Sequence, residues 1–508
     1  MAILRRILRR AITHPRQVAV IDDQREYSFL RIAAGAYFVA RAIERATDKQ
    51  KVGIMLPTSG AFTVTLLGAW LAKKTPVPLN YLLSQDELGH VVADSGIDTI
   101  VTADKMIDAL EGLGVDPAKL PGPPNLLKLE PSMFRGLPPL RWPRKLADDE
   151  LAVLLYTSGT SGKPKGVMLT VENIRTNIED CLEHAGLTAC DSFLGVLPQF
   201  HSFGLTVLTL LPLYGGGQVV YTARFNPRKI TDLIKQHRPK LFIGVPSMLA
   251  ALLSVKSAKA EDWESLRYVI CGGEPLPDAV CQGFKERFGV QLLEGYGLTE
   301  TSPVTNWSTH DAYRPHAVGR PLPRVRNLIV DDDNRLLGPN EEGEILIAGP
   351  SVMRGYYQLP ELTDEVMIEL DLPPDERRPH LGSGPTRCFR TGDIGKIDDD
   401  GYLTITGRKK EMLIISGENV FPREIEEVLN KHPSVHASAV IGRPDDSRGE
   451  VAVAFVELEE GAAFDADELR RFCREGVAPF KVPKEIHHLD ELPRNPTGKI
   501  MRRALVLP

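Results

Sequence analysis

The chain has 508 residues, 43% of them apolar and 25% charged, with a formal net charge of −6. That length excludes one simple core and gives roughly three units of about 150 residues, or one large multi-sheet domain plus a smaller one. The acidic balance argues against a nucleic-acid partner, which favours a basic face, and six cysteines without a CxxC pair fit reduced thiols rather than a disulfide framework or a zinc site.

The chain opens MAILRRILRRAITHP. No small-residue cleavage site follows a proper apolar core, so no secretory signal is expected and the expected location is cytoplasmic. Ile3, Leu4, Ile7, Leu8 and Ile12 fall on one helical face, with Arg5, Arg6, Arg9 and Arg10 largely elsewhere. Peripheral membrane contact is one reading of this helix. The favoured one is a first helix packed on its own domain with a solvated arginine face. No uninterrupted apolar run approaches the ~18 residues of a membrane span.

From 51 to 80 the pattern VGIMLP, SGAFTVTLLGAWLAKK, TPVPLN predicts a βαβ unit of a parallel sheet. Similar units recur at TIVTADK, KLFIGVPSMLAALL and LRYVICGGEPLPDAVCQGFKERFG. Residues 116–144 hold eight prolines and are expected to form a long surface connection. FGLTVLTLLPLYGGGQVVY reads as a buried helix followed by a strand. After about 306 the texture changes to short β-like pieces with turns, which suits an antiparallel or barrel-like part. The last hundred residues alternate helices and strands as a compact α+β unit, with GRKK (407–410) at the junction.

Four stretches carry possible chemistry. In LAVLLYTSGTSGKPKGVMLT two apolar β-runs flank a loop rich in glycine, hydroxyls and lysine. It is not a Walker loop: Thr157 stands five before Gly162 where glycine is required, Pro164 follows Lys163, and the setting is strand–loop–strand. Gly159, Gly162 and the donors Thr157, Ser158, Thr160, Ser161, Lys163 and Lys165 supply an anion nest for a polyphosphate. In EGYGLTETSPV the glycines, Gly297 among them, let the chain approach a planar group beside Tyr296. Thr299 and Glu300 suit a phosphate contact and a Mg²⁺ ligand. A capped turn is the plain alternative. In FRTGDIGKIDDDGYLTITGRKKEMLIISGENVFPREIEE, Asp393 suits a ribose diol and Arg408 a phosphate. In PRNPTGKIMRR, Lys499 follows a Pro/Gly-rich turn and, taken alone, is a surface lysine.

In this order and spacing the four stretches resemble the adenylate-forming superfamily, in its acyl-CoA synthetase and fatty acid ligase branch, across essentially the whole chain. The resemblance implies an α/β fold. A large N-terminal domain of two α/β sheets plus a distorted β-barrel (1–407) precedes a small mobile α+β C-terminal domain (408–508), with a hinge near Lys410. It implies ATP, Mg²⁺ and CoA, and a carboxylic acid activated to acyl-AMP with release of pyrophosphate before transfer to a thiol. By resemblance the loop 157–165 holds the β- and γ-phosphates, Glu300 the Mg²⁺, and Thr299 the α-phosphate. Tyr296 lies near adenine with Gly272, Gly273 and Glu274; Asp393 and Arg408 bind ribose. Lys499 places a cation between carboxylate and α-phosphate, and a thiol tunnel passes near Gly417. His201 and Phe203, in LPQFHSFGLT, match the segment lining the carboxylate pocket, among aliphatic residues. A medium- or long-chain fatty acid is therefore the expected substrate.

An acyl carrier protein is the alternative acceptor, with Lys481, Lys484, Arg502 and Arg503 as its docking face or simply as solvated charges. A catalytically silent adenylate-binding regulator is a reading of another class, disfavoured by the joint presence of Glu300 and Lys499. Three departures from the family pattern, Val171, Arg324 and Cys388, touch packing rather than catalytic groups.

Overall fold

A computed structural model describes residues 2–122, 124–139, 147–158, 163–373, 381, 384–416, 418–445, 448–494 and 500–506. The chain is α/β, with several sheets in a large N-terminal part and a smaller C-terminal one.

An eight-stranded sheet is ordered Val304–Trp307, Leu293–Gly297, Tyr268–Gly272, Leu241–Gly244, Ser192–Gly195, Gln218–Tyr221, Val18–Ile21, Glu26–Ser28. It is parallel inside and antiparallel at both edges. A second, four-stranded parallel sheet contains Thr75–Pro78, Lys51–Ile54, Thr99–Thr102 and Asn125–Lys128. Near-continuous apolar strands of this kind are buried on both faces. The predicted βαβ unit is Lys51–Ile54, helix Gly60–Leu71 and Thr75–Pro78.

The expected surface connection at 116–144 is corrected in part. Asn125–Lys128 inside it pairs parallel with Thr99–Thr102 and extends that sheet. Four residues between prolines are too few to show a period.

The first helix, Ala2–Thr13, buries Ile3, Leu4, Ile7 and Leu8 in the main core. Ile12 departs from the expected face and is 74% exposed. Among the described residues no helix is long and apolar enough to cross a membrane.

The buried run after His201 is a π-helix, Phe203–Leu210, continued by the helix Leu211–Gly215 and the strand Gln218–Tyr221. A Cβ at position 204 would meet the Pro198 carbonyl oxygen at 2.0 Å, so only glycine lets this wide turn lie against the preceding loop. π-Turns of this sort are concentrated at functional sites.

Beyond these, five antiparallel strands form one sheet: Arg326–Val330, Gly343–Ala348, Thr386–Ile397, Met367–Leu370 and Leu403–Arg408. Cys388 is buried there. Arg324 has a structural role, since its Nε donates to buried Asp180 at 2.7 Å and its guanidinium reaches Glu179 at 3.1 Å. Val171 is buried at the start of helix Val171–His184, whose capping box joins Thr170 and Asn173. The C-terminal part has its own five-stranded sheet, with helices Pro422–Leu429 and Ala466–Gly476 over a separate apolar core.

Candidate active site

The loop rich in glycine and hydroxyls tops a β-hairpin, Leu151–Ser158 paired antiparallel with Pro164–Thr170. Thr157 faces Lys165 and Ser158 faces Pro164 in its register. The tip residues Gly159, Thr160, Ser161 and Gly162 lie outside the described residues; Lys163 is exposed beside them. Polar groups fasten the strands next to the loop. The Tyr156 hydroxyl donates to Asp94 at 2.5 Å, a ring nitrogen of His90 to the Pro164 carbonyl at 3.1 Å, and the Tyr357 amide to the Gly166 carbonyl at 2.7 Å. The setting is strand–loop–strand, as the flanking apolar runs predict.

Strand Leu293–Gly297 delivers Tyr296 and runs into a 3₁₀ turn, Thr299–Thr301, that carries Thr299 and Glu300. The Tyr356 hydroxyl donates to Glu300 Oε1 at 2.8 Å, and Lys165 Nζ sits 5.7 Å from the centre of the same ring. One phenol thus links the hairpin to the carboxylate. Burial pushes the Glu300 carboxyl up from its ordinary value, with the Tyr356 hydrogen bond opposing the rise. Thr299 Oγ1 lies 3.1 Å from Ser202 Oγ.

Tyr356 and Ser202 are contacts that no motif announced. Tyr356 lies 56 residues from Glu300, in an RGYY run that reads as ordinary sequence.

Asp393 is 2% exposed and is shared between two partners. Tyr296 donates its hydroxyl to Oδ2 at 2.6 Å, and Arg408 Nε lies 2.9 Å from Oδ1. The cross-strand register Asp393↔Arg408 places the ion pair. The Asp393 charge raises Arg408 above its ordinary value, while burial and then Asp393 raise the Tyr296 phenol. Tyr296 is therefore held by its hydroxyl, with the ring as the face left for a planar group.

Gly272 and Gly273 end strand Tyr268–Gly272 beside Tyr296. A Cβ on Gly272 would stand 3.1 Å from the Phe203 ring and 3.3 Å from the Gly295 carbonyl; Gly273 has φ +86°. A side chain at 272 would crowd Phe203 and the neighbouring strand, and one at 273 would strain the backbone. Gly297 is exposed next to Tyr296, and Glu274 is half-buried.

His201 stands at the start of the π-helix, its ring 5.2 Å from that of Phe200, which in turn meets Tyr81 edge-on at 4.9 Å. Burial pulls His201 down to about 4, so the imidazole is neutral at pH 7. The protein surrounds His201, Tyr296 and Glu300, yet each keeps some accessible surface.

Lys410 is exposed in the turn Lys409–Glu411 that leads into the C-terminal part. Gly417 and Lys499 lie outside the described residues. Near Lys499, Ile500 pairs with Arg494, and Arg502 bonds Glu426 at 2.7 Å and Glu411 at 3.1 Å while feeling the charge of Glu274. Nothing here supports the carrier-protein face offered as an alternative to solvated charges. Three of its four cations are ion-paired within the chain: Lys481 with Glu424, Lys484 with Asp445 at 2.7 Å, and Arg502 as above.

Among the described residues no three His, Cys, Asp or Glu side chains cluster to hold a metal. A half-buried carboxylate, Glu300, fits Mg²⁺, which is commonly held by one or two carboxylates plus the substrate's phosphates.

The family model described as AMP-binding enzyme matches residues 7–357, and the one described as AMP-binding enzyme C-terminal domain matches 424–499. The chain is similar to a long-chain-fatty-acid–CoA ligase of Bacillus subtilis, at 32% identity over 90% of this chain and 85% of the relative. It is similar at 31% identity to a feruloyl-CoA synthase of an Amycolatopsis species, over 97% and 96% of the two chains. Among solved structures, ATP-bound MatB from Rhodopseudomonas palustris superposes with a TM-score of 0.87 at 29% identity, covering 99% of this chain and 97% of that one.

Proposed function

The chain belongs to the AMP-binding enzyme family, on its adenylate-forming acyl-CoA ligase branch, and we propose that the acid it activates is a medium- or long-chain fatty acid. The ligase uses ATP, Mg²⁺ and CoA. In the first step a carboxylate oxygen attacks the α-phosphorus of ATP and the bond to pyrophosphate breaks. In the second the thiolate of CoA attacks the acyl carbon and AMP leaves.

This chain's residues serve those steps by positioning and charge, which carry most of the catalysis in phosphoryl-type transfer. The hairpin loop, with Thr157, Ser158, Lys163 and Lys165, grips the outer phosphates. Glu300, oriented by Tyr356, would hold Mg²⁺, which would supply charge neutralisation at the phosphates. Thr299, oriented by Ser202, contacts the α-phosphate. The Tyr296 ring lies against adenine over Gly272, Gly273 and Glu274, and the Asp393–Arg408 pair receives the ribose. Lys499 brings the cation between carboxylate and α-phosphate. A C-terminal domain beginning at about 408 swings on Lys410 between the two steps, exchanging Lys499 for a thiol path near Gly417. Closure of that domain also shields the acyl-adenylate from water.

The observation that carries the fatty-acid reading is His201. A neutral imidazole beside Phe200, at the head of an aliphatic π-helix, offers a second carboxylate no charge partner and an alkyl chain a low-polarity wall. The B. subtilis relative, named for long-chain fatty acids, supports it, and the relative named for ferulate supplies the rival. The test is acid-dependent ATP–pyrophosphate exchange over saturated fatty acids, aryl acids such as ferulate, and dicarboxylates. Fatty acids are expected to give kcat/KM at least about tenfold above the others, a difference of ~1.4 kcal/mol in transition-state binding. Higher values for aryl acids or dicarboxylates would overturn the substrate, and no exchange with any acid would overturn the adenylation.

A further inference from the structure

Asp94 is out of place on local grounds. It stands in the last turn of the helix Gln85–Ser95, which has no basic residue there, and the negative end of a helix disfavours an anion. Its partner lies outside the helix: the Tyr156 hydroxyl donates to Asp94 Oδ2 at 2.5 Å. Burial, and then this bond, push the Tyr156 phenol above its ordinary value, so it keeps its proton and remains a donor.

Tyr156 and Gly166 are the two ends of the stretch YTSGTSGKPKG and face each other in the hairpin register. Gly166 is buried. A Cβ there would stand 3.0 Å from Leu154 Cδ1, 3.1 Å from Tyr357 Cβ and 3.2 Å from the Tyr156 ring. The bare glycine thus leaves room for the phenol that reaches the helix. Both ends of the stretch serve this anchor, and the residues between them carry the phosphate donors.

Further contacts converge on the same two strands. His90 lies one turn before Asp94 on the same helix face, and its ring nitrogen donates to the Pro164 carbonyl at 3.1 Å. Pro164 stands between the two loop lysines, Lys163 and Lys165, and Tyr156 directly precedes Thr157. Gln358 Nε2 donates to the Asp94 carbonyl at 3.1 Å. The Tyr357 amide donates to the Gly166 carbonyl at 2.7 Å, while its hydroxyl accepts from Lys51 Nζ at 2.8 Å. Leu154, Tyr156, Met168 and Tyr357 also pack in the apolar cluster of the four-stranded sheet.

We propose that Asp94 and His90 are positioning residues for the outer phosphates: by holding Tyr156 and Pro164 they fix where Thr157, Lys163 and Lys165 stand, and so set the affinity for pyrophosphate and ATP. They act through the hairpin and not on the nucleotide. The inference rests on the hairpin loop being the phosphate grip.

The test is calorimetry of the full chain with inorganic pyrophosphate and Mg²⁺, with ATP and Mg²⁺, and with AMP, alongside thermal melts. Tyr156→Phe and Asp94→Ala should each raise the Kd for pyrophosphate and ATP at least about tenfold, the lower end for a lost hydrogen bond to a charged group. The Kd for AMP, which has no outer phosphates, should stay within about twofold, as for an independent site. The double variant should lose no more than the larger single loss, because both changes remove one bond. Asp94→Asn keeps an acceptor for the phenol and should stay within about threefold of wild type. His90→Ala should show a smaller loss with the same preference. Should Tyr156→Phe lower Tm by leaving the carboxylate bare, Tyr156→Phe with Asp94→Asn removes the charge, and the same tenfold loss is expected of it. A Kd for AMP that rises in step with that for pyrophosphate overturns the proposal. So do unchanged pyrophosphate affinity, additive losses in the double variant, or a wild type that binds no pyrophosphate. Calorimetry needs no acid, so exchange that fails while pyrophosphate binds in this pattern counts against the ligase reading alone and supports the positioning.

Discussion

At the scale of residues, the site is organised by phenols on carboxylates. Tyr356 donates to Glu300 and Tyr296 to Asp393, so each acid is oriented by a phenol. Removing the first hydroxyl with Tyr356→Phe should leave the fold intact and raise the Mg²⁺ concentration for half-maximal exchange by about 10–150-fold, the effect of one hydrogen bond of ~1.5–3 kcal/mol to a charged group. Glu300→Gln, which removes the ligand itself, should lower exchange at least about 100-fold. Neither link was legible beforehand. Glu300 and Tyr296 stood in a recognisable motif, but their partners come from other strands, and one sequence holds no record of which distant side chain meets them.

Glu294 gives a prediction at the same scale. Burial raises its carboxyl from 4.5 to about 7, with Arg423 opposing. A carboxyl raised in the fold stays neutral without penalty below its unfolded value and destabilises as pH climbs through the folded one. Glu294→Gln should therefore match the wild type near pH 4.5 and be more stable above about pH 7, by on the order of 1 kcal/mol. Thermal melts of both proteins across that window check it; an advantage confined to acid pH would reverse the sign.

At the scale of elements, regular pieces were readable wherever a period had room to show. LAVLLY and GVML are strands of one hairpin, and the βαβ unit at 51–80 and the C-terminal helices and strands fall where their patterns put them. The π-turn was not readable. FGLTVLTL is apolar on every side, so periodicity gives no phase, and only the close approach of Pro198 to Gly204 shows why the turn widens. Gly204→Ala should lower stability by a few kcal/mol through backbone strain, while Leu208→Met, which conserves volume, should cost under about 1.5 kcal/mol. Chemical denaturation distinguishes them; equal, small losses would mean the wide turn is not needed.

At the scale of the whole molecule, the two parts meet across opposite charges. Lys431 on the C-terminal side pairs with Asp278 at 3.0 Å, Arg423 faces Glu294, and Arg502 faces Glu274. Half-exposed pairs of this kind contribute little to stability, and each joins a residue of the C-terminal part to an acidic residue of the N-terminal part. The central claim is that Lys499, in the C-terminal part of the sequence, serves the first half-reaction alone. Its most direct test is Lys499→Ala assayed on both halves: fatty-acid-dependent ATP–pyrophosphate exchange, and CoA-dependent thiolysis of a supplied acyl-adenylate. Exchange should fall by a factor on the order of 1,000, the range for a group made for the transition state, while thiolysis stays within about threefold of wild type. Equal loss in both halves, or exchange that survives, would contradict it.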